Sequence, residues 1–166
     1  NTDQNEKARR RAAWSRVSST FVEYDIRALS RLGEVQGIAD VVICTETIEH
    51  ILNDQKLMID LAGCLKPGGR LLMTAPYEYY KAITPEDDGP FSIVEDGGHV
   101  RRGYTAKSYR ALCEGAGLKI EDFGFCSGLI SQLLTKILRK LTVIHYRFGW
   151  LVILPLRILP PVLDRF

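Results

Sequence analysis

Apolar residues recur along the first 125 residues in patterns that predict strands alternating with helices. A nearly continuous apolar run covers residues 39–44 and a similar run covers residues 70–75. Such runs are typical of strands that are buried on both faces of a sheet. Shorter alternating patterns predict further strands over residues 21–24 and 118–125.

Helix-like spacing separates the predicted strands. Asn53, or the aspartate after it, begins a helix whose apolar positions continue to Leu65, and the sequence Lys-Pro-Gly-Gly at 66–69 ends it. Thr105 begins a second helix, which stops at Gly115. This alternation predicts an α/β fold in which helices pack on the faces of a parallel sheet.

Residues 129–166 have a different pattern. Apolar residues between 129 and 141 fall on one face of a helix, and Gln132, Lys136, Arg139 and Lys140 fall on the other. The apolar run that follows, over residues 150–163, is interrupted by prolines and Arg157 and is predicted to be too short to span a bilayer. We therefore divide the chain into a domain of residues 1–128 and a C-terminal tail of residues 129–166.

The tail has two interpretations. A basic amphipathic helix is suited to peripheral contact with a membrane surface. The same apolar face could instead pack on the sheet or close a homodimer. The sequence leaves both interpretations open.

Composition supports a globular domain with a real core. The chain has 166 residues, of which 46% are hydrophobic and 25% are charged. The net charge of +2 is too small to indicate a nucleic-acid partner. The charge is unevenly distributed, because residues 129–166 contain six basic residues and one acidic residue.

The cysteines and histidines do not form a recognisable ligand pattern. No Cys-x-x-Cys pair occurs and the histidines are not clustered, so we expect neither a metal site nor a disulfide framework. A reducing cytoplasm is the expected location for four scattered cysteines, which are Cys44, Cys64, Cys113 and Cys126.

Candidate binding residues follow the predicted strands, since ligands of parallel sheets bind beyond the carboxyl ends of the strands. Asp25 could accept a hydrogen bond from an exocyclic amine while Ile26 packs on a ring, or Asp25 could simply cap the turn that follows it. The segment between Tyr77 and Tyr104 is long for a connection inside a compact domain, and such loops are usually functional.

Several segments together resemble the second half of a class I S-adenosylmethionine-dependent methyltransferase of the small-molecule type. They are residues 25–26, 39–50, 65–76, 98–105 and 114–118, in that order. The resemblance extends over about residues 21–125. It implies an incomplete Rossmann-like methyltransferase sheet, mostly parallel with flanking helices, to which the C-terminal apolar helical tail is added.

The resemblance also implies roles for individual residues. Asp25 and Ile26 would contact the adenine of S-adenosylmethionine, and Thr45 and Glu46 would lie near its methionine portion. The long loop would supply the candidate substrate-binding residues Tyr77, Tyr80, Arg101 and Tyr104.

Two histidines are candidate catalytic residues. The resemblance implies that His50 faces the transferred methyl group or the acceptor. Either His50 or His99 could remove the proton of an acceptor hydroxyl, because imidazole titrates near neutral pH. The alternative for each histidine is a hydrogen bond that only holds a loop.

The chain departs from the family at the start of the cofactor site, where the family has a glycine-rich turn after its first strand. Gly68 and Gly69 cannot serve as that turn, because they follow a helix and precede a strand. We expect that the sequence lacks the first strand, the first helix and most of the second strand of the family. It should therefore bind the cofactor weakly or not at all.

The first functional hypothesis is methyl transfer from S-adenosylmethionine to an oxygen of a small or lipid-linked acceptor, in the cytoplasm or at a membrane surface. The alternative is a non-catalytic fragment or interaction module that has lost cofactor binding. A dehydrogenase is a weaker option, because it would need the same missing glycine turn.

Overall fold

The computed structural model describes residues 2–82 and 88–164, with side chains from residue 5 onward. Its α-helices are α1 (Thr2–Trp14), α2 (Asp54–Gly63), α3 (Ala106–Gly115), α4 (Leu129–Ile144), α5 (Tyr146–Ile153) and α6 (Pro160–Leu163). Its strands are β1 (Ala39–Thr45) and β2 (Leu65–Thr74). Short 3₁₀ helices cover Ile26–Arg31, Gly33–Val35, Ile48–His50 and Leu154–Ile158. Arg165, one of the six basic residues of the tail, lies outside the described residues.

The two strands pair in parallel, which confirms the predicted strands at 39–44 and 70–75 as far as Thr74. β2 begins at Leu65, so the Lys-Pro-Gly-Gly sequence lies within the strand. The pairing requires glycine there, because a Cβ atom on Gly69 would lie 2.9 Å from the carbonyl oxygen of Ala39. The described chain therefore contains a short parallel sheet of two strands.

Only one face of this sheet is covered, so the prediction of strands buried on both faces is wrong. Cys44 is buried against the core, and Val42 is partly buried on the same face. On the opposite face Val41, Ile43 and Leu72 are 50%, 69% and 55% exposed. The reason is that α2 packs on the first face, whereas no described helix covers the second.

The helix α2 supplies the centre of the core. The side chain of Asn53 accepts a hydrogen bond from the backbone N–H of Lys56 and caps the helix, as the sequence predicted. Leu57 and Met58 are 2% and 0% exposed. The helix ends at Gly63, two residues before the predicted end at Leu65.

The helix α3 also begins where the sequence predicted. The Thr105 hydroxyl accepts a hydrogen bond from the N–H of Ser108, and the Ser108 hydroxyl accepts one from the N–H of Thr105. This reciprocal arrangement is a capping box, which satisfies two N–H groups at the helix start. Through Cys113 the helix packs against the same core as α2.

Two predicted strands do not form. Residues 21–24 and 118–125 lie outside any strand, because β1 and β2 pair only with each other among the described residues. Leu118 and Ile120 nevertheless pack against the core, and Arg70 of β2 lies 3.2 Å from the carboxylate of Glu121. The alternating pattern of this segment therefore reflects partial burial without strand pairing.

The tail folds back on itself. The predicted amphipathic helix is confirmed as α4, which packs against α5. Their contact is close, since a Cβ atom on Gly149 would lie 2.8 Å from the Thr142 side chain. Asp164, at the far end of the tail, accepts hydrogen bonds from the N–H groups of Ile130 and Ser131 at 2.8 and 2.7 Å and caps α4.

Candidate functional site

The carboxyl ends of both strands meet at one edge of the sheet, because the strands are parallel and Thr45 pairs with Thr74. Directly after β1, the N–H of Glu46 donates to the carbonyl of Thr74 at 3.1 Å, and the Thr74 hydroxyl donates to a Glu46 carboxylate oxygen at 2.8 Å. Glu46 has a φ of 48°, a left-handed conformation that costs a non-glycine residue energy. The turn that leaves β1 is therefore strained and held by β2.

A cavity of about 1310 Å³ opens at this edge and continues along β2. Its walls come from β2, from residues 116–127 and from the start of the loop after β2. Six residues of the predicted site line it, namely Thr45, Glu46, Tyr77, Tyr80, His99 and Tyr104. Asp25, Ile26, His50 and Arg101 are not among its lining residues.

His50 is held by the long loop. Its Nδ1 lies 3.0 Å from the carbonyl oxygen of Gly98. A carbonyl can only accept, so Nδ1 carries a proton, and in the neutral form of the ring the lone pair belongs to Nε2. The loop is fixed to the same turn by the Val100 N–H, which donates to the carbonyl of Glu49 at 2.9 Å. His50 therefore makes the loop contact that the sequence left as its alternative role.

His99 lies beside His50. The two ring centroids are 4.7 Å apart in an edge-to-face arrangement. The Nε2 atom of His50 is 3.9 Å from a carboxylate oxygen of Glu49. Ligand atoms of Glu49, His50 and His99 all lie within 4.8 Å of one another, a spacing at which they could hold a metal ion that the sequence did not predict.

Glu49 is not among the site residues predicted from the sequence. This residue is 1% exposed, and its Oε2 atom has no hydrogen-bond partner. Burial raises the pKa of its carboxyl group, and the nearby charge of Glu46 raises it further. Its neighbour Ile48 is fully buried. The available signal in the sequence was the position of this acidic residue, between an apolar residue and a candidate catalytic histidine.

Asp25 makes the turn cap that the sequence left as its alternative role. Its carboxylate accepts hydrogen bonds from the backbone N–H of Arg27 at 3.0 Å and from the Arg27 guanidinium at 2.6 to 3.1 Å. These contacts lower its pKa to about 2. Arg27 also binds Glu95 at 2.9 Å, and Glu95 accepts from the N–H of Leu52 at 2.6 Å. Through these contacts Asp25 is tied to the loop that also holds His50.

Arg101 joins the long loop to the start of α2. Its guanidinium donates to Asp54, to the Tyr104 hydroxyl at 2.7 Å and to the carbonyls of Ile51 and Leu52 at 2.8 and 2.9 Å. Tyr104 is 7% exposed, and burial raises the pKa of its hydroxyl. Both side chains therefore hold the loop in place, whatever contact they make with a substrate.

Tyr77 and Tyr80 form an aromatic part of the cavity wall. The Tyr77 ring packs edge to face on Phe125, with the ring centroids 5.1 Å apart. The guanidinium of Arg102 lies 5.1 Å from the centre of the Tyr80 ring, a cation–π geometry. Of the predicted substrate residues that line the cavity, Tyr77 is exposed and Tyr80 partly exposed, whereas Tyr104 is buried.

A family model described as a methyltransferase domain matches residues 2–122 of the chain. No curated protein and no solved structure matches it. The matched region includes β1, β2, α2, α3 and every residue of the predicted site. The helices α4, α5 and α6 lie beyond it.

Proposed function

Because the chain belongs to the methyltransferase domain family, we propose that it transfers a methyl group from S-adenosylmethionine to an oxygen of a small or lipid-linked acceptor. The family match carries this proposal, because it covers nearly three quarters of the 166 residues and every residue of the predicted site. S-adenosylmethionine supplies an electrophilic methyl group on a sulfonium, and the acceptor oxygen takes that methyl as the sulfur leaves with the bonding electron pair.

The residues at the strand ends fit part of this cofactor. Glu46 and Thr45 line the cavity, and a carboxylate there complements the ammonium of a methionine moiety. Asp25 and Ile26 fit less well, since the Asp25 carboxylate is already bound by Arg27 and neither residue lines the cavity. Glu46 and Thr45 would hold the methionine end, and contact of Asp25 and Ile26 with adenine would require Arg27 to move.

The histidine pair supports proton removal from the acceptor. His50 presents the lone pair of Nε2, because its Nδ1 proton is donated to Gly98. His99 lines the cavity and contacts the His50 ring. An acceptor hydroxyl that reaches Nε2 of His50 beside His99 would transfer its proton to that nitrogen while the oxygen forms the new bond to carbon, a contribution worth about 10² to 10⁴ in rate.

The aromatic wall supports binding of the acceptor. Tyr77 and Tyr80 would pack on it, while Arg101 and Tyr104 hold the end of the loop against the start of α2. Methyl transfer needs alignment of the acceptor with the methyl carbon and exclusion of water more than it needs charge stabilisation. The aromatic surfaces of Tyr77 and Tyr80 would contribute to that alignment.

A calorimetric titration with S-adenosylmethionine tests the cofactor assignment. We expect weak binding by the chain and a further loss of about tenfold for Glu46→Gln, which removes a charge-assisted hydrogen bond. Glu114→Gln, which removes an exposed carboxylate on α3, should bind as the unchanged chain does. Absence of binding, both by this chain and by one extended at its N-terminus with its own upstream sequence, would overturn the proposal.

The same titration separates the second candidate function, an interaction module without catalysis. Two observations favour that candidate: the sequence has no glycine-rich turn after a strand, and the carboxylate of Asp25 is bound by Arg27.

The acceptor is tested with S-adenosylmethionine that carries a tritiated methyl group, incubated with the protein and a cell extract. Label in ethers or esters of small molecules or lipids supports the acceptor assignment, and label confined to protein or nucleic acid contradicts it.

A further inference from the structure

The tail leaves a large apolar surface exposed. Residues 129–164 lie beyond the family match, and their helices pack mainly against each other. Contiguous apolar surface of this kind is rare on soluble monomers and marks a site of interaction. We propose that the tail binds the surface of an anionic lipid membrane.

One face of α4 forms the first part of this surface. Leu129, Leu133, Ile137 and Ile144 are 77%, 50%, 37% and 77% exposed. At 100° per residue these four side chains fall within about 80° of one another around the helix. The adjoining face contains Leu134 and packs against α5, so the exposed stripe is the part of the apolar face that the protein itself leaves uncovered.

The segment after α4 forms the second part. Leu151, Leu154, Ile158 and Val162 are 74%, 63%, 71% and 57% exposed. By length and composition the 18 residues Tyr146–Leu163 are enough to cross a membrane, so the prediction that this part of the tail is too short to span a bilayer is wrong on length. Only 11% of this segment is buried within the protein.

The geometry of the segment favours lying on the membrane over crossing it. The helix α5 has 8 residues and is about 12 Å long, whereas the hydrocarbon core of a bilayer is about 30 Å thick. A 3₁₀ helix over Leu154–Ile158 and the prolines that begin α6 interrupt it, and Arg157 lies in between. Asp164 then accepts hydrogen bonds at the start of α4, so the two ends of the tail lie next to each other.

The charge of the tail indicates which partner covers its exposed apolar surface. Residues 129–164 contain five basic residues, namely Lys136, Arg139, Lys140, Arg147 and Arg157. Their one acid, Asp164, caps α4. A second copy of this chain would bring two positively charged tails together, whereas anionic lipid headgroups complement the charge. At 100° per residue Lys136 lies about 20° outside the exposed stripe of α4 and Lys140 lies within it, positions from which lysines reach headgroups while apolar neighbours enter the interface.

Flotation of the full chain with lipid vesicles tests this inference. We expect binding to vesicles of phosphatidylcholine mixed with phosphatidylglycerol, little binding to phosphatidylcholine alone, and weaker binding as salt is raised. The cytoplasmic leaflet carries anionic lipid, so this binding would place the domain at the cytoplasmic membrane surface.

Two pairs of substitutions with the same charge change give the decisive comparison. Lys136→Gln with Lys140→Gln should weaken binding to anionic vesicles by about thirtyfold, since each lysine near an anionic surface contributes roughly a fivefold factor. Lys107→Gln with Arg110→Gln, both on exposed positions of α3, should change it by less than about twofold. Leu133→Gln with Ile144→Gln should weaken binding about tenfold or more without altering the fold, because both side chains are exposed already.

Three results would overturn the inference. The first is equal binding to neutral and anionic vesicles. The second is a loss of binding to anionic vesicles in the α3 control pair that equals the loss in the α4 lysine pair. The third is a chain that binds no vesicles and forms a dimer, which Leu133→Gln with Ile144→Gln dissociates. The inference goes beyond the proposed function, since vesicle binding needs neither cofactor nor acceptor. A failed calorimetric titration would therefore leave it standing, and failed flotation would leave the methyltransferase proposal standing.

Discussion

Glu49, His50 and His99 show how one turn brings distant side chains together. The Ile48–His50 turn buries Ile48 and Glu49 and directs His50 toward the loop that contains His99. The carboxyl group of Glu49 is costly to ionise there, because one of its oxygens has no hydrogen-bond partner and water is excluded. Its protonation should therefore be linked to the stability of the fold.

We predict that the free energy of unfolding falls as pH rises above the pKa of Glu49 in the unfolded chain, about 4.3. Burial raises the native pKa above that value, so between the two values the native chain keeps a proton that the unfolded chain has lost. Glu49→Gln removes this loss and should be more stable than the unchanged chain by about 1 kcal/mol at pH 8.

Urea denaturation at pH 5 and pH 8, in a buffer that contains a chelator, measures this difference. Glu114→Gln on the exposed face of α3 is the control and should follow the pH dependence of the unchanged chain. Identical pH dependence for Glu49→Gln and the unchanged chain would show that the carboxyl group is not desolvated.

Among the helices, α2 and α3 depend on local signals that were visible in the sequence. Asn53 and Thr105 accept hydrogen bonds from N–H groups of the first helical turns, and those groups have no partner within the helix. β1 and β2, in contrast, depend on each other, since each supplies the hydrogen-bond partners of the other. Residues 21–24 and 118–125 have the alternating pattern of strands, but in the part of the chain that the structure describes no strand pairs with them.

We predict that Thr105→Ala lowers the free energy of unfolding by about 1 kcal/mol, because it removes the oxygen that accepts from the Ser108 N–H. Thr105→Ser retains that oxygen and should be close to neutral. Chemical denaturation of the three proteins tests this, and an equal loss in both variants would mean that the methyl group of Thr105, rather than the cap, stabilises α3.

The tail behaves as a unit because its last described residue caps its first helix. Partial burial raises the pKa of Asp164, yet the hydrogen bonds from Ser131, Ile130 and Gly128 outweigh it, and the pKa lies below its ordinary value. The stabilisation from this cap is thus present above the pKa of an unfolded aspartate, about 3.9, and is lost as pH falls through the lower native value.

We predict that Asp164→Ala accelerates hydrogen exchange at the amides of Ile130 and Ser131, which donate to the Asp164 carboxylate. Asp164→Asn keeps one acceptor oxygen and should accelerate it less. The amide of Leu71 in β2 is the internal reference and should exchange at an unchanged rate in both variants. Faster hydrogen exchange at the Leu71 amide as well would show that the tail stabilises the sheet.

The sequence by itself determined the elements whose signals are local. The apolar runs of β1 and β2, the caps at Asn53 and Thr105 and the amphipathic pattern of α4 depend on residues a few positions apart, so they could be identified from spacing. The segments that resemble a methyltransferase were identified in the same way, and the family match confirms them.

The tertiary structure alone decided which of these elements cover one another. It left one face of the sheet and one stripe of α4 exposed, placed Glu49 beside His50 and His99 with its Oε2 atom lacking a hydrogen-bond partner, and bound Asp25 to Arg27. Burial and pairing depend on contacts between residues far apart in the chain, and hydrophobic periodicity reports only that a face is apolar. It does not report what that face meets.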